Sequence, residues 1–253
     1  MTSTVALPYG DLKWRVRVNY SGEWGPFSDY KDFYYQHPGF YSNFNSGSFG
    51  WEVVSGEWLI TQNNYYTAFA PEYQWASISR WDLYKDVYFE AMMKREGSIY
   101  SPNALILRGT VEPLGDDGWN SEYSFLYSNA GYFSVYKIVD GVETSLTDDL
   151  WYYSDAINQN GWNKLTVASI GENLFFHIND TYVWGGTDSD LAEGTVGLEM
   201  YHSEYDASNT KILVDWAQSG LAYFATQEMM MGPNTSDQVG VPGGTIEHSP
   251  LPD

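Results

Sequence analysis

The chain has 253 residues, with 12 Lys and Arg against 33 Asp and Glu, a formal net charge of −21, and no cysteine. So acidic a chain is a poor partner for nucleic acid or an anionic membrane surface, because both are bound through Lys and Arg. No apolar run approaches the ~18 residues of a membrane-spanning helix, so we expect no membrane insertion. Without cysteine, a disulfide scaffold, a thiolate metal site and a cysteine nucleophile are excluded. The apolar content of 43%, including 11 Trp, 22 Tyr and 12 Phe, is enough for a large core.

Residues 1–36 contain two predicted strands, Leu12–Tyr20 and Asp29–Tyr35, joined by residues 21–27. The stretch WRVRV, followed by SGEWGPFSDYKDF, resembles the last hairpin of a fibronectin type III-like domain of bacterial surface proteins. A two-stranded ribbon is only marginally stable alone. We therefore expect it to dock on the main body, to be the end of a longer polypeptide, or to be completed by another chain. The opening MTSTVALPYG lacks a signal-peptide pattern, which fits a segment of something longer.

Residues 37–225 form the predicted main body, in which apolar residues recur with a period of two. Runs rich in β-branched and aromatic residues predict strands near residues 87–94, 123–127, 132–138, 164–168 and 174–178. Many short strands at such spacing are typical of an antiparallel sandwich or barrel. We predict an all-β domain whose core includes Trp14, Trp51, Trp58 and Trp216. Residues 226–253, without Lys or Arg, are predicted to be an extended tail or linker.

Several motifs follow one another in a specific order between Phe40 and Trp216. They are YSNFNSGSFGW, SGEWLI, DVYFEA, ALILRG, NKLTV, LFFHINDTYV, GTVGL and ILVDW. Together they resemble the concanavalin A-like lectin and glucanase superfamily, which includes laminin G-like domains and the family 16 glycoside hydrolases. The resemblance implies an antiparallel two-sheet β-sandwich of the concanavalin A-like jelly-roll kind, with an N-terminal hairpin and an extended C-terminal tail.

The enzymes of that superfamily carry paired carboxylates on alternating positions of one strand, in the pattern E-x-D-x-E or E-x-D-x-x-E. This pattern is absent from the sequence. Glu90 has no acidic partner two or four residues further on, and Glu199 is followed by an acid only at Glu204. We therefore predict that the chain is not an enzyme, with no catalytic residues.

Calcium is the cofactor that the resemblance implies, as a structural ion tying the first strand of the sandwich to the last. Calcium takes six to eight oxygen ligands. The positions that match the family's site are Asp215, in the closing VDW, and Asn43 and Gly56 near the start of the domain. An ordinary structural role for Asp215, paired with a backbone N–H or a basic residue, remains the alternative.

Aromatic side chains on loops, beside Asn and Asp, predict contacts with sugars, because sugar rings stack on flat aromatic faces. The candidate ligand-binding residues are Asp117, Trp119, Asn120, Trp151, Tyr152, Tyr153 and Trp184. The three consecutive aromatics 151–153 are the most informative of these, because an extended chain cannot direct all three into one core. For any single ring, burial in the core is the alternative.

Three functions remain open on the sequence. The first is a non-catalytic extracellular carbohydrate-binding or adhesion module of a prokaryotic surface or secreted protein, whose partner is a glycan or a neighbouring surface protein. The second is a structural subunit of an extracellular filament or surface layer, self-associating through residues 1–36 and 226–253 by strand or tail exchange. The third is an atypical family 16-like glycosidase.

Overall fold

The computed structural model describes residues 10–35, 39–61, 66–70, 72–111, 118–148, 150–203 and 209–222. Regular structure in these ranges consists of short β-strands. They are β1 (Gly10–Trp14), β2 (Arg17–Tyr20), β3 (Glu23–Phe27), β4 (Lys31–Tyr35), β5 (Gly39–Ser42), β6 (Trp51–Ser55), β7 (Glu57–Ile60), β8 (Tyr66–Phe69), β9 (Gln74–Arg80), β10 (Val87–Glu96), β11 (Asn103–Val111), β12 (Trp119–Tyr127), β13 (Tyr132–Val139), β14 (Val142–Ser145), β15 (Tyr152–Tyr153), β16 (Asn163–Ile170), β17 (Asn173–Ile178), β18 (Thr181–Thr187), β19 (Thr195–His202) and β20 (Lys211–Leu221). Across the described ranges no helix has the length and apolar character needed to cross a bilayer.

Two antiparallel sheets of eight strands each form the body. Sheet 1 runs in the order β18-β17-β16-β10-β20-β8-β7, and β5 also pairs with β20. Sheet 2 runs in the order β14-β13-β12-β11-β19-β9-β6, and β15 also pairs with β13. The predicted all-β antiparallel sandwich is confirmed.

The core lies between the two sheets and follows the alternation of each strand. On β12, the side chains of Tyr123, Phe125 and Tyr127 point inward and are fully buried. They meet the inward residues of sheet 1, as in the edge-to-face pair of Phe125 and Phe176, whose ring centroids are 5.5 Å apart. Each such buried aromatic stabilises the sandwich by roughly 1.5–3 kcal/mol. Because these residues of β12 point inward, the residues between them lie on the outer face of sheet 2.

The N-terminal hairpin differs from its prediction in detail. The predicted strand Leu12–Tyr20 is split into β1 and β2, and the predicted connection 21–27 itself contains β3. Ser21 (φ 53°) and Gly22 (φ 92°) supply the tight turn that reverses the chain between β2 and β3. The hairpin is therefore one long ribbon, in which β1 pairs with β4 and β2 with β3.

Both faces of the ribbon are open to solvent. All residues of β2 and β3 are exposed, and Trp14, predicted to lie in the core, is 49% exposed. That prediction was wrong because a two-stranded ribbon has no second layer to bury the ring. Arg17 instead lies over the rings of Trp24 and Phe27, 4.4 and 4.6 Å from their centroids. Exposed cation–π contacts of this kind contribute only about 0.5–1 kcal/mol.

The other predicted core tryptophans behave differently. Trp51 and Trp58 are in the core, as predicted, whereas Trp216 is only half-buried. The predicted boundary between hairpin and body falls at residues 36–38, and the predicted tail is residues 226–253. Both lie outside the described residues.

Candidate functional site

A cavity of about 410 Å³ opens on the outer face of sheet 2. We call it the groove. It is lined by Trp75, Pro102, Glu122, Ser124, Leu126, Tyr136, Ile138, Glu143, Trp151, Glu199 and Tyr201. The outer face of one sheet of a sandwich is thus concave and partly apolar, which is the usual character of a ligand site.

Strand pairing brings the lining residues together from distant parts of the chain. Leu126 on β12 lies opposite Ala104 on β11, and Ala104 lies opposite Glu199 on β19. Glu199 in turn pairs with Ser77 on β9. Because paired residues of neighbouring strands point to the same face, these four side chains form one row across the floor.

The buried ring of Trp119 lies beside this row. It packs in a small cluster with Ala104, Ile106 and Leu126, separate from the main core. A Cβ atom added to Gly197 would approach the Trp119 ring to 2.6 Å, and one added to Gly109 would approach it to 2.2 Å. Glycine is therefore needed at both positions for the indole to lie against the sheet.

Half-buried aromatic rings form the walls. Trp75 and Tyr201 pack side by side, with ring centroids 5.1 Å apart and planes inclined at 48°. Trp151 and Tyr136 lie against the same small cluster as Trp119. Four aromatic side chains that each keep part of their surface accessible can offer faces to a ring-shaped ligand.

Carboxyl groups supply the polar character of the groove. Glu122 is 2% exposed and Glu199 is 3% exposed. The Ser77 hydroxyl donates a hydrogen bond of 2.6 Å to Glu199 Oε1 and holds that carboxyl in place. Glu143 is exposed at the rim. Burial raises the pKa of Tyr136, a hydrogen bond with Ser134 opposes this, and the charge of Glu143 adds to the rise.

The two buried glutamates lie on different strands and in different rows of sheet 2. Glu122 is four residues from Leu126, which shares the row of Glu199, and β12 and β19 are separated by β11. At roughly 3.3 Å per residue and 4.8 Å per strand, their Cα atoms are about 16 Å apart. The next same-face positions on β12 are Ser124 and Leu126, which carry no acid.

A smaller cleft of about 350 Å³ lies between β13 and β15 of sheet 2 and β18, the edge strand of sheet 1. Tyr152 and Trp184 line it with Asp148 and Gly185. Their rings are also part of the packing, because Tyr152 stacks on Phe133 at 5.8 Å between centroids. This cleft is therefore bounded by rings that already serve the core.

The residues predicted to bind ligand are divided among several places. Trp151 lines the groove, and Trp119 is buried beneath it rather than exposed on a loop. Tyr152 and Trp184 line the smaller cleft. Tyr152 is separated from Trp151 because consecutive residues of an extended segment point to opposite sides.

Two other predicted residues, Asn120 and Tyr153, line neither cavity. Asn120 Nδ2 donates to Asp140 Oδ1 at 3.4 Å. Tyr153 is 57% exposed and packs edge-on against Tyr132 at 5.6 Å between centroids. Asp117 lies outside the described residues.

Sequence reasoning did not select Glu122, Trp75, Tyr136 or Tyr201. All four lie on strands of the sandwich, so attention to aromatic loops passed over them. Their position in the alternating pattern of a strand could have indicated them. Glu122, for example, is next to the core residue Tyr123 and therefore points to the opposite face of the sheet. Glu199 was considered, but its partner was sought on its own strand.

The positions predicted to bind calcium are only partly brought together. Ala217 pairs with Ser42, so Asn43 and Asp215 lie at the same place on neighbouring strands, and both are exposed. Val214 lies opposite Tyr66 on β8, which lies opposite Ile60 at the end of β7. Gly56 is four residues before Ile60 and is therefore displaced from this row by about 13 Å along β7. Among the residues in the described ranges, no group of three or more His, Cys, Asp or Glu could hold a metal ion. The three positions do not fit one calcium site, and calcium at Asn43 and Asp215 stays a prediction.

A third buried glutamate, Glu90, lies on the outer face of sheet 1. Gln218 Nε2 donates to its Oε2 at 2.6 Å, and the Thr166 hydroxyl donates to its Oε1 at 3.2 Å. Burial raises the pKa of Tyr88, and its hydrogen bond with Glu90 raises it further. These bonds engage the Glu90 carboxylate in the sheet itself, in contrast to the open groove on sheet 2.

Solved structures share this architecture at low sequence identity. A carbohydrate-binding module, CBM66, from Bacillus subtilis is 17% identical over 65% of this chain and 91% of its own, with a TM-score of 0.52. A Bacillus licheniformis β-glucanase is 11% identical over 72% of this chain and 98% of its own, with a TM-score of 0.55. A prokaryotic β-1,3-1,4-glucanase (lichenase) from a mouse hindgut metagenome is 10% identical over 73% of this chain and 100% of its own, with a TM-score of 0.57.

No protein-family model matches the chain, and no curated protein matches it. At such identities the likeness shows the fold alone: a two-sheet jelly roll of the kind found in glucanases and in a carbohydrate-binding module. The same fold thus carries both binding and catalysis, and the site must be judged by its own residues.

Proposed function

We propose that the groove on sheet 2 binds a carbohydrate, and that the chain is a non-catalytic, extracellular binding or adhesion module of a prokaryotic surface or secreted protein. The observation that carries the proposal is the meeting of four half-buried aromatic rings and three carboxyl groups in one open cavity. Aromatic faces bind the apolar faces of sugar rings, and carboxyl oxygens accept hydrogen bonds from sugar hydroxyls. The carbohydrate-binding module among the structural neighbours supports this proposal.

The absence of catalysis is inferred from the groove itself. Only one of the three same-face positions Glu122, Ser124 and Leu126 on β12 carries a carboxyl group. The second acid, Glu199, lies on β19, so the groove takes one buried acid from each of two strands and not an alternating pair from one strand. If the atypical glycosidase is correct instead, the protein will release reducing sugar from β-glucans.

Affinity electrophoresis in gels that contain soluble polysaccharides tests the proposal. We expect retardation of the native chain and its loss in Trp151→Ala, which removes one wall of the groove. Trp81→Ala is the matched control, because Trp81 is 52% exposed and packs on Phe49 away from the groove. Equal retardation of both variants would place binding elsewhere, and no retardation by any polysaccharide would overturn the proposal. Runs with and without EDTA test the predicted calcium.

The exposed ribbon favours a second candidate function, the self-assembling structural subunit. Val18 is 72% exposed, Tyr20 81% and Trp24 59%, on a ribbon of two strands. Such edges are templates for pairing with another chain. Sedimentation velocity of the full chain tests this candidate: a concentration-dependent oligomer that Val18→Ser with Tyr20→Ser dissolves would support it, and a monomer at all concentrations would refute it.

A further inference from the structure

We propose that the free edge of β18 and the smaller cleft beside it receive strand β2 from the ribbon of a second copy of this chain. The inference rests on the second candidate function, self-assembly, and names the surface on which the neighbouring copy docks. It follows from the character of the β18 edge, from the cleft, from the composition of the two ribbon strands and from where the charges lie.

β18 is a long sheet edge without the usual protection. Within the described part of the chain it pairs with β17 alone. Its seven residues make it longer than β6, β7 and β14, the other strands that end the two sheets. It reads TYVWGGT and contains neither proline nor a charged residue, although these are the residues that keep natural sheet edges from pairing. The edge is therefore suited to accept another strand.

The backbone groups of this edge are available at alternate residues. Just beyond the strand, Asp188 N donates to Glu172 O at 2.9 Å, which places the hydrogen-bonding groups of Asp188 on the β17 side. Because these groups alternate between the two sides of an antiparallel strand, those of Gly185 and Thr187 point to the open side. Both residues are exposed. An added strand could therefore hydrogen-bond to them.

The cleft offers room for the side chains of an added strand. Residues 183–187 of β18 line one side of its volume of about 350 Å³, and Phe133, Leu146 and Tyr152 line the other. In recognition by strand addition, backbone hydrogen bonds supply affinity and such pockets take alternate side chains. The cleft therefore favours an extended segment with an apolar side chain at every second position.

β2 of the ribbon is a segment of this kind. Val18 and Tyr20 are two residues apart, so they point to the same side, and both are largely exposed. β2 pairs with β3 on one edge and, among the described residues, with no strand on the other. β3 contains Pro26, which lacks the N–H that a ladder needs. β2 is therefore the better donor, with Val18 or Tyr20 in the cleft.

Charge favours contact between the ribbon of one copy and the body of another. Residues 10–35 contain four basic and four acidic side chains, so the net charge of −21 lies outside them. Two bodies repel each other, whereas a neutral ribbon is not repelled. Arg15 and Arg17 lie over aromatic rings, and neither has a carboxylate partner among the described residues. Asp148 in the cleft and the exposed Glu172 near the end of β18 can supply one.

The donor strand and the acceptor edge are different surfaces of the chain, so the contact is heterologous. A copy that donates β2 keeps its own β18 edge free for a third copy. Contacts of this type continue into an open filament unless the rotation between copies closes a ring.

Disulfide cross-linking between copies is the direct test, because the chain has no cysteine of its own. A Tyr20→Cys chain is mixed with an isotopically labelled Asp148→Cys chain, and mass spectrometry identifies the mixed dimer. A disulfide forms only where the two Cα atoms come within about 7 Å. Glu52→Cys, at an exposed position of the edge strand β6, is the matched control for Asp148→Cys. We expect at least roughly tenfold more mixed dimer with Asp148→Cys than with the control.

Sedimentation velocity of Thr187→Pro tests whether the edge itself is needed. Proline at this exposed, outward-facing position removes the N–H and obstructs an added strand, while the ladder between β17 and β18 is kept. We expect a dissociation constant for self-association at least roughly tenfold higher than that of the native chain. Thr187→Val keeps the N–H, is the matched control and should associate as the native chain does.

The outcomes separate this inference from the function on which it rests. If the native chain is a monomer at all concentrations and no mixed dimer forms, self-assembly fails and the inference fails with it. If the chain associates but Thr187→Pro associates equally well, or Glu52→Cys cross-links as efficiently as Asp148→Cys, self-assembly stands and β18 is not the acceptor. If a chain with both Tyr20→Cys and Asp148→Cys cross-links within one copy at high dilution, the ribbon docks on its own body and a second copy is not the occupant. The cross-linking comparison does not depend on whether Thr187→Pro folds.

Discussion

Replacing Arg108 by lysine is expected to destabilise the sandwich severely, although charge is retained. Arg108 is 2% exposed and lies at a bulge of β11, with a left-handed φ of 50°. Its guanidinium donates to three backbone carbonyls in separate connections: Lys85 O at 2.8 and 3.0 Å, Leu191 O at 2.9 Å and Gly171 O at 2.6 Å. A single side chain thus ties three loops at one end of the molecule.

The magnitude follows from the carbonyls that lysine cannot serve. A lysine ammonium is one nitrogen on a flexible stem and cannot reproduce the planar fork that reaches three carbonyls in different directions. One or two of these partly buried carbonyls would lose their donor, at about 1–3 kcal/mol each. We therefore expect a loss of about 2–4 kcal/mol in the free energy of unfolding, which for a chain of this size lowers Tm by roughly 5–15 °C.

Urea denaturation followed by tryptophan fluorescence, together with calorimetry, measures the loss. Arg15→Lys is the matched control, because Arg15 is exposed and lies over the rings of Phe27 and Tyr30, where a lysine ammonium can replace it. The control should change stability by less than about 0.5 kcal/mol. A loss below about 1 kcal/mol for Arg108→Lys would refute the reasoning, since it would mean that the three carbonyls find other donors.

Two further predictions concern stability. Burial acts to raise the pKa of Asp188, but hydrogen bonds from Lys137 and Tyr123 outweigh it and leave the pKa below its ordinary value of 3.8. The resulting stabilisation is complete above pH 3.8 and is lost as the pH falls through the lowered pKa. Asp188→Asn should therefore show its largest loss of Tm, relative to the native chain, above about pH 4. Tm measured as a function of pH tests this, and a difference that is constant at all pH values would contradict it. Gly197→Ala places a Cβ atom 2.6 Å from both the Ile78 carbonyl and the Trp119 ring, so we expect a loss of about 1–3 kcal/mol in chemical denaturation. Gly220→Ala is the control, because its added Cβ atom would make only an ordinary contact at 3.8 Å. Equal losses of stability in the two variants would show that the residues around Gly197 can move to accommodate the Cβ atom.

The alternation of apolar residues was sufficient to predict the sandwich, because strands of period two that are bounded by turn residues have few other solutions. Alternation gives two faces but does not say which face meets the core when both are apolar. β11 reads Ala104-Leu105-Ile106-Leu107, and only the structure shows that Leu105 and Leu107 face inward while Ala104 and Ile106 floor the groove. The face was undetermined because the choice depends on partners far away in the chain.

The groove was beyond local prediction for the same reason. Its two buried acids come from β12 and β19, which lie on the same face of the sheet because both strands pair with β11. No spacing along the chain indicates that these two glutamates share one cavity. The aromatic triplet 151–153 was informative, but only Trp151 reaches the groove. The resemblance of the ribbon to a fibronectin type III-like domain stays a prediction.

The strict alternation along β12 separates two kinds of evolutionary change. Tyr123, Phe125 and Tyr127 maintain the fold from one side of the strand, while Glu122, Ser124 and Leu126 face the groove from the other. Selection can therefore explore new ligands at Glu122 and Ser124 without altering the main core, even though the two sets interleave residue by residue. A combinatorial library restricted to positions 122 and 124 leaves Leu126 and its packing with Trp119 unchanged, and should yield mostly folded proteins. This strand is where the scaffold is best suited to acquire a new specificity.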